Sequence, residues 1–325
     1  MENKARVYHP LKEELLSRAQ GCLLGQLAGD SLGGLVEFRR PEEILRKYPT
    51  GLRELMDGGT WDTIAGQPTD DSEMALALAR MLVKTGTYDA GEARKAYLFW
   101  LDSGPFDCGG TILSGLKGFP RHESQANGAM MRISPLGIFG VNYSLEQVGR
   151  WAMEDAAITH PNPVCGQANS IFARAIAYGI SAGCTPAELY ERIAEWTEEM
   201  DVSENLRNAV VKSADEPPAD YLESHGWVII AFHNALWQLL HAENLESGVV
   251  DTVMRGGDTD SNAAICAALL GAVYGIEALP SQWVRALLNC RPAAGMENVH
   301  KPRPEFFWPV DAMELAEQLL RPEEL

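Results

Sequence analysis

The chain has 325 residues and carries 27 basic against 45 acidic side chains, a net charge of −18 at neutral pH. A surface this acidic excludes broad contact with nucleic acid or an anionic membrane. A phosphorylated ligand would have to be met locally, by backbone amides, helix N-termini or metal.

Helical periodicity runs through the sequence. It predicts helices over Leu11–Leu27, Ser72–Lys84, Ala90–Leu101, Leu145–Ala157, Gln167–Ile180 and Pro186–Glu199. Further on it predicts Glu204–Ser213, Gly226–His241, Leu245–Arg255, Ser261–Tyr274, Pro280–Asn289 and Val310–Leu320. Thr185 precedes Pro186 and has Glu188 three residues on, and Ser144 has Gln147 at the same spacing, so both read as capping boxes. Only Arg53–Met56 and a few residues near Trp61 could be extended. No Ser/Gly-rich linker or repeat divides the chain, and the Pro217-Pro218 stretch is a short loop. The expectation is one all-α domain over residues 21–325, preceded by an N-terminal extension, Met1–Gln20.

Six scattered cysteines form no C-x-x-C pair and suit reduced thiols in a core. The charged N-terminus lacks an apolar signal region. The longest apolar runs, Trp227–Leu240 and Ala263–Ala278, are short or interrupted by His233, Asn234 and Glu277, so they read as buried helices. The expected location is cytoplasmic.

Two acidic clusters stand out. Thr69-Asp70-Asp71-Ser72-Glu73 follows a Gly/Pro-rich loop and enters an Ala/Leu-rich run. Taken alone it is an acidic helix start, since capping needs only one of these residues. Two adjacent aspartates after a Thr exceed that need. Gly256-Gly257-Asp258-Thr259-Asp260-Ser261 precedes a run so small and apolar that it must be buried. Counting from Asp258, Ala263 and Leu269 stand where an EF-hand needs Gly and Glu, so this is no self-contained calcium loop. The paired glycines would let backbone approach a ligand. Here a capped core helix and a metal site are equally open. Together, four carboxylates with hydroxyls and no paired His or Cys suit hard cations, Mg²⁺, Mn²⁺ or Ca²⁺.

The loops between are weaker signals. Ser103-Gly104-Pro105-Phe106-Asp107-Cys108-Gly109-Gly110 carries one carboxylate, and Asn127-Gly128-Ala129-Met130-Met131-Arg132 joins a turn to apolar residues. Thr159-His160-Pro161 joins two predicted helices. Gly29-Asp30-Ser31-Leu32-Gly33-Gly34, followed by Glu37, ends the first, with Gly33-Gly34 as a possible C-cap.

In this order these segments resemble the ADP-ribosylglycohydrolase family in its common bacterial form. The likeness runs from about Gly21 to Leu320 and includes Gly226-Trp227-Val228 and the tail from Arg303-Pro304 to Trp308-Pro309. It implies a compact all-α fold with two divalent cations, Mg²⁺ or Mn²⁺, in a cleft. By motif, Thr69, Asp70, Asp71, Asp258, Asp260 and Ser261 become the ligands. Asp107 resembles the acidic residue beside the scissile ribose, and Glu37 a mobile glutamate that closes over the metals. Asn127, Gly128 and Met130 would line the ribose–diphosphate channel, His160 would lie near phosphate, and Gly256 and Gly257 would touch substrate. Trp227 would offer an aromatic face to adenine. Ser261 stands where Thr is commoner, Gly110 where Asn is, and Ala126 where Gly is usual.

The implied activity is hydrolysis of the bond between ADP-ribose and a protein side chain, most directly arginine. The partner would be an ADP-ribosylated protein or small ADP-ribose compound. The alternative is an immunity-type protein that binds an ADP-ribosylating toxin, with Met1–Gln20 contributing to the contact.

Overall fold

The computed structural model describes residues 12–321. Helices carry the chain throughout. The first five are α1 (Glu13–Gly33), α2 (Pro41–Lys47), α3 (Asp70–Thr85), α4 (Ala90–Asp102) and α5 (Gly110–Leu116). Then come α6 (Ser134–Phe139), α7 (Leu145–Ala157), α8 (Pro163–Ala182), α9 (Pro186–Glu199) and α10 (Glu204–Lys212). The last are α11 (Val228–His241), α12 (Leu245–Met254), α13 (Thr259–Tyr274), α14 (Ser281–Asn289) and α15 (Ala312–Leu320). No strand forms among the described residues, and none of their helices is long and apolar enough to cross a membrane.

Every predicted helix is present, and α7 and α9 have the expected ends. Thr185 and Glu188 form the full capping box, whereas Ser144 accepts from the Gln147 amide without the reciprocal bond. Helix α8 starts four residues early, because Asn162 caps it through the Val164 amide and Pro163 suits the first turn. The short helices α2, α5 and α6 were not foreseen. Arg53–Met56 is irregular rather than extended, because its backbone pairs with side chains of α14. The Trp283 indole donates to the Arg53 carbonyl at 2.7 Å, and the Gln282 amide bonds both ways to Leu55.

Helix α1 runs past the expected end at Leu27 to Gly33, and Gly34 stays right-handed rather than forming a C-cap turn. The expected domain boundary after Gln20 falls inside this helix, with Leu15 and Ala19 already in the core. Residues 1–11 of the expected extension lie outside the described residues.

The reason α1 continues is its packing. Gly21, Gly25, Gly29 and Gly33 form one stripe along α1, laid against α13. A Cβ on Gly25 would fall 2.5 Å from the Ala267 carbonyl oxygen, and one on Gly21 would fall 2.5 Å from the Gly275 backbone. Without side chains the two backbones meet directly. Helix α13 is buried from Thr259 to Ala272, with α8, α11 and α12 also packed on it. This pairing sets the end of α1 beside the start of α13. The start of α3 completes the group.

Candidate active site

Neither N-cap residue, Thr69 nor Asp258, caps its own helix with its side chain, though Asp260 Oδ1 accepts from the Ser261 amide at 2.9 Å. Thr69 occupies the N-cap of α3, yet its hydroxyl donates to Asp30 Oδ1 at 2.9 Å. The Asp30 carboxylate, from α1, also accepts from the Thr69 and Ser72 amides at 3.0 Å each. Asp30 therefore caps α3 from outside. That lets Asp70 and Asp71 face the cleft, where the Gly109 amide reaches Asp70 Oδ2 at 3.2 Å. Asp71 Oδ1 is buried with no hydrogen-bond partner.

Asp258, at the N-cap of α13, likewise makes no side-chain cap. Its Oδ2 accepts from the Asn127 amide at 2.6 Å. Gly256 and Gly257, both with positive φ, hold the loop against the segment that carries Glu37. The Phe38 amide donates to the Gly257 carbonyl at 2.8 Å, and the Gly257 amide to Arg39 at 3.1 Å. A Cβ on Gly256 would fall 2.5 Å from the Arg39 carbonyl oxygen. The close approach expected toward a ligand is thus taken by the protein's own backbone. It sets Glu37 beside Asp258 and Asp260, where one oxygen of each lies within 4.8 Å of the others. The Trp61 indole donates to Glu37 Oε2 at 2.6 Å and fixes it there.

Crowded, buried carboxylates resist ionisation. Burial first, then the charge of Asp107, pushes the Glu37 carboxyl up to about 8, while the Trp61 hydrogen bond pulls it down. Burial lifts Asp70, Asp71 and Asp260 well above the usual carboxylate range, and neighbouring carboxylates add to each. Asp107 is raised by burial too. Asp30 rises only to about 6, because hydrogen bonds from Ser72 and Thr69 offset its burial. An all-oxygen set with an unpartnered buried oxygen fits a hard divalent cation, whose charge would reverse these shifts.

The cleft has a volume of about 360 Å³. Of the expected residues, Glu37, Asp70, Asp71, Asp107, Asn127, Gly128, His160, Asp258, Asp260 and Ser261 line it. Thr69 lies just beneath, 3.3 Å from Asp71 Oδ2 and 3.5 Å from Asp260 Oδ2. Met130 does not line the wall. The tight 3₁₀ turn at Asn127–Ala129 turns it into the core, and Met131 faces the cleft instead. Trp227 is half-buried outside the wall, its indole bonded to Gln125 at 2.9 Å, while Gly226 and His225 line the rim. Phe38 was missed. It is 58% exposed, lines the cleft and meets the His225 ring edge-on. The capping role of Asp30 was missed as well.

The family model for ADP-ribosylglycohydrolase matches residues 11–322. The ADP-ribosyl-[dinitrogen reductase] glycohydrolase of Rhodospirillum rubrum is 30% identical over 281 residues, covering 83% of this chain and 90% of that protein. The ADP-ribosylarginine hydrolase Tri1 of Pseudomonas putida is 26% identical, covering 84% of this chain and 74% of its own. A solved structure described as an ADP-ribosylglycohydrolase-related protein complex superposes with a TM-score of 0.79 at 25% identity, covering 95% of this chain and 99% of that one. The chain belongs to the ADP-ribosylglycohydrolase family, hydrolases of glycosidic bonds to ADP-ribose.

Proposed function

We propose that the protein removes ADP-ribose from modified protein side chains, most directly from arginine, with two divalent cations, Mg²⁺ or Mn²⁺, in its cleft. The observation that carries this reading is the gathering of Asp70, Asp71, Asp258 and Asp260 into one buried floor, with Asp30 capping α3 in place of its own aspartates. Thr69, Asp70, Asp71, Asp258, Asp260 and Ser261 would hold the ions. When bound, the cations supply Lewis acidity at the ribose hydroxyls and orient water.

The chain's own groups do the rest. Asp107 and Glu37 flank the floor and exchange protons with the attacking water and the leaving nitrogen or oxygen. The Trp61 indole holds Glu37 in place, and the Asn127 amide orients Asp258. Gly128, Met131 and His160 form a wall for the sugar and phosphates, and the exposed Phe38 ring offers a face at the rim. The named relative from Pseudomonas putida acts on ADP-ribosylarginine, which favours that linkage. The N-terminal extension remains the place to test toxin binding, by deleting residues 1–11, which precede the N-cap Lys12 of α1 in the sequence.

The test is incubation with ADP-ribosyl-arginine and ADP-ribosyl-serine peptides in Mg²⁺, Mn²⁺ or EDTA. Release of ADP-ribose from the arginine peptide, lost in EDTA and in Asp70→Ala, is expected. No release from either peptide by the metal-loaded protein would sink the reading.

A further inference from the structure

Besides Asp71 Oδ1 on the floor, the cleft has a buried polar atom without a partner in its wall. His160 is 1% exposed, its ring lines the cleft, and its Nε2 has no partner. Gly128 makes room for it, since a Cβ there would sit 3.2 Å from Nε2.

Behind the ring lies a fully buried chain of groups. Arg132 and Asp155 form an ion pair with both side chains at 0% exposure. Arg132 Nε donates to Asp155 Oδ1 at 3.1 Å, Nη2 to the Asp155 carbonyl at 3.0 Å, and Nη1 to the Gly128 carbonyl at 3.2 Å. The Tyr97 hydroxyl donates to Asp155 Oδ2 at 2.8 Å, and the Tyr97 ring lies 4.3 Å from the guanidinium. Arg132 Nη1 also donates to Thr159 Oγ1 at 2.9 Å, and Thr159 Oγ1 lies 2.7 Å from His160 Nδ1.

A guanidinium has only donors, so Thr159 Oγ1 must accept from Arg132. Among the described residues Thr159 Oγ1 has one other neighbour within hydrogen-bond distance, His160 Nδ1, so that nitrogen is the only acceptor within reach of its hydroxyl hydrogen. A neutral ring that accepts at Nδ1 carries its proton on Nε2. Burial and the adjacent Arg132 charge keep the ring neutral. We propose that Arg132 and Thr159 are positioning residues that lock His160 in its Nε2–H tautomer, making it a fixed, uncharged donor to an acceptor oxygen of the bound ADP-ribose. This rests on the proposed function for the identity of the ligand. The tautomer itself does not.

An N–H left unpaired in a buried wall is unfavourable, and a ligand oxygen removes that penalty. Because the donor carries no charge, it does not switch off across neutral pH. It also rejects a ligand that presents a donor at that point. The arrangement needs the Thr159 hydroxyl as a relay, since Arg132 itself does not reach the ring.

The tautomer is read by ¹⁵N NMR of the imidazole nitrogens in the metal-loaded protein without substrate. The expected result is a pyridine-type Nδ1 and a pyrrole-type Nε2, kept in Thr159→Ser and lost in Thr159→Val. By calorimetry, Thr159→Val should bind ADP-ribose about tenfold more weakly, with Thr159→Ser close to wild type. A pyrrole-type Nδ1 in the wild type, or unchanged affinity in a folded Thr159→Val, would overturn the proposal. If the wild type fails to bind ADP-ribose, the reading of the cleft falls, while the nitrogen shifts still decide the tautomer.

Discussion

Gly33 of α1 lies so close to Asp260 of α13 that one added Cβ would fall 2.5 Å from the Asp260 Cα. The contact is backbone against backbone, so no side chain can swing aside. Gly33→Ala should push the end of α1 away from α13 and spread the acidic floor. It should cost about 1–3 kcal/mol, as overpacking does. Gly179→Ala in α8 is the control, because a Cβ there meets nothing nearer than 3.5 Å. That change should stabilise by about 0.5–1 kcal/mol. Urea denaturation of both variants checks the contrast, and equal effects would contradict it.

Asp71 Oδ1 is buried and unpartnered, and Asp70, Asp30 and Asp258 all bring charge close to Asp71. Removing one charge from such a group relieves repulsion when no cation is present. In EDTA, Asp71→Asn should therefore melt higher than wild type, by on the order of 2–4 °C. Adding Mn²⁺ should raise the wild-type melting temperature and leave the variant's almost unchanged. Differential scanning calorimetry in both buffers decides it. A wild type indifferent to Mg²⁺ and Mn²⁺ would contradict the cation assignment.

His160 gives a pH signature separate from the carboxylates. Burial first, and Arg132 second, lowers its ring from 6.5 to about 3. The unfolded chain takes up a proton near pH 6.5 that the folded chain refuses. The stability it contributes is thus full above that pH and lost as the pH falls toward 3, at about 1.4 kcal/mol per pH unit. The carboxylates titrate in both proteins, so the difference between wild type and His160→Gln isolates the ring. Urea titrations between about pH 4 and 7 should show that difference moving against the wild type as the pH drops. A constant difference would rule out a neutral buried ring.

The two acidic clusters were legible because each combines more carboxylates than a cap can use with a helix too apolar to be exposed. Their partner Asp30 was not. It sits in the last turns of α1 and caps α3 across 39 residues of sequence, a contact no local pattern encodes. Glu37 and Trp61 meet outside regular secondary structure, so no periodicity ties them together. Met130 and Met131 differ by one step of a 3₁₀ turn, which a motif alone does not resolve. The glycines at 21, 25, 29 and 33 were a readable signal. Their four-residue spacing marks a helix face meant for another backbone, and the same spacing in Ala263, Ala267 and Gly271 marks its partner.

Arg303 ties the C-terminal segment to the site through Glu73 of α3. Its Nε and Nη2 grip the Glu73 carboxylate at 2.7 and 2.8 Å, and the Trp100 indole adds a third bond at 2.9 Å. Both side chains are almost fully buried, at 3% and 2% exposure. Removing one partner strands a buried charge, so Arg303→Ala should cost about 3–5 kcal/mol. Replacing both, as Glu73→Leu with Arg303→Met, should recover part of that loss, since it removes the stranded charge but leaves the Trp100 indole unpaired. Turnover should not follow. Arg303 Nη1 also donates to the Ser103 and Gly104 carbonyls at 3.1 and 3.0 Å, at the root of the loop that carries Asp107. Neither replacement side chain offers those donors. The double variant should therefore be more stable than Arg303→Ala but still below wild type, because the Trp100 indole loses its acceptor, and it should release ADP-ribose about tenfold more slowly, as expected when a positioning contact is lost. Denaturation curves and single-turnover rates at one temperature test the two halves. Full activity in the double variant would show that the loop holds Asp107 without Arg303.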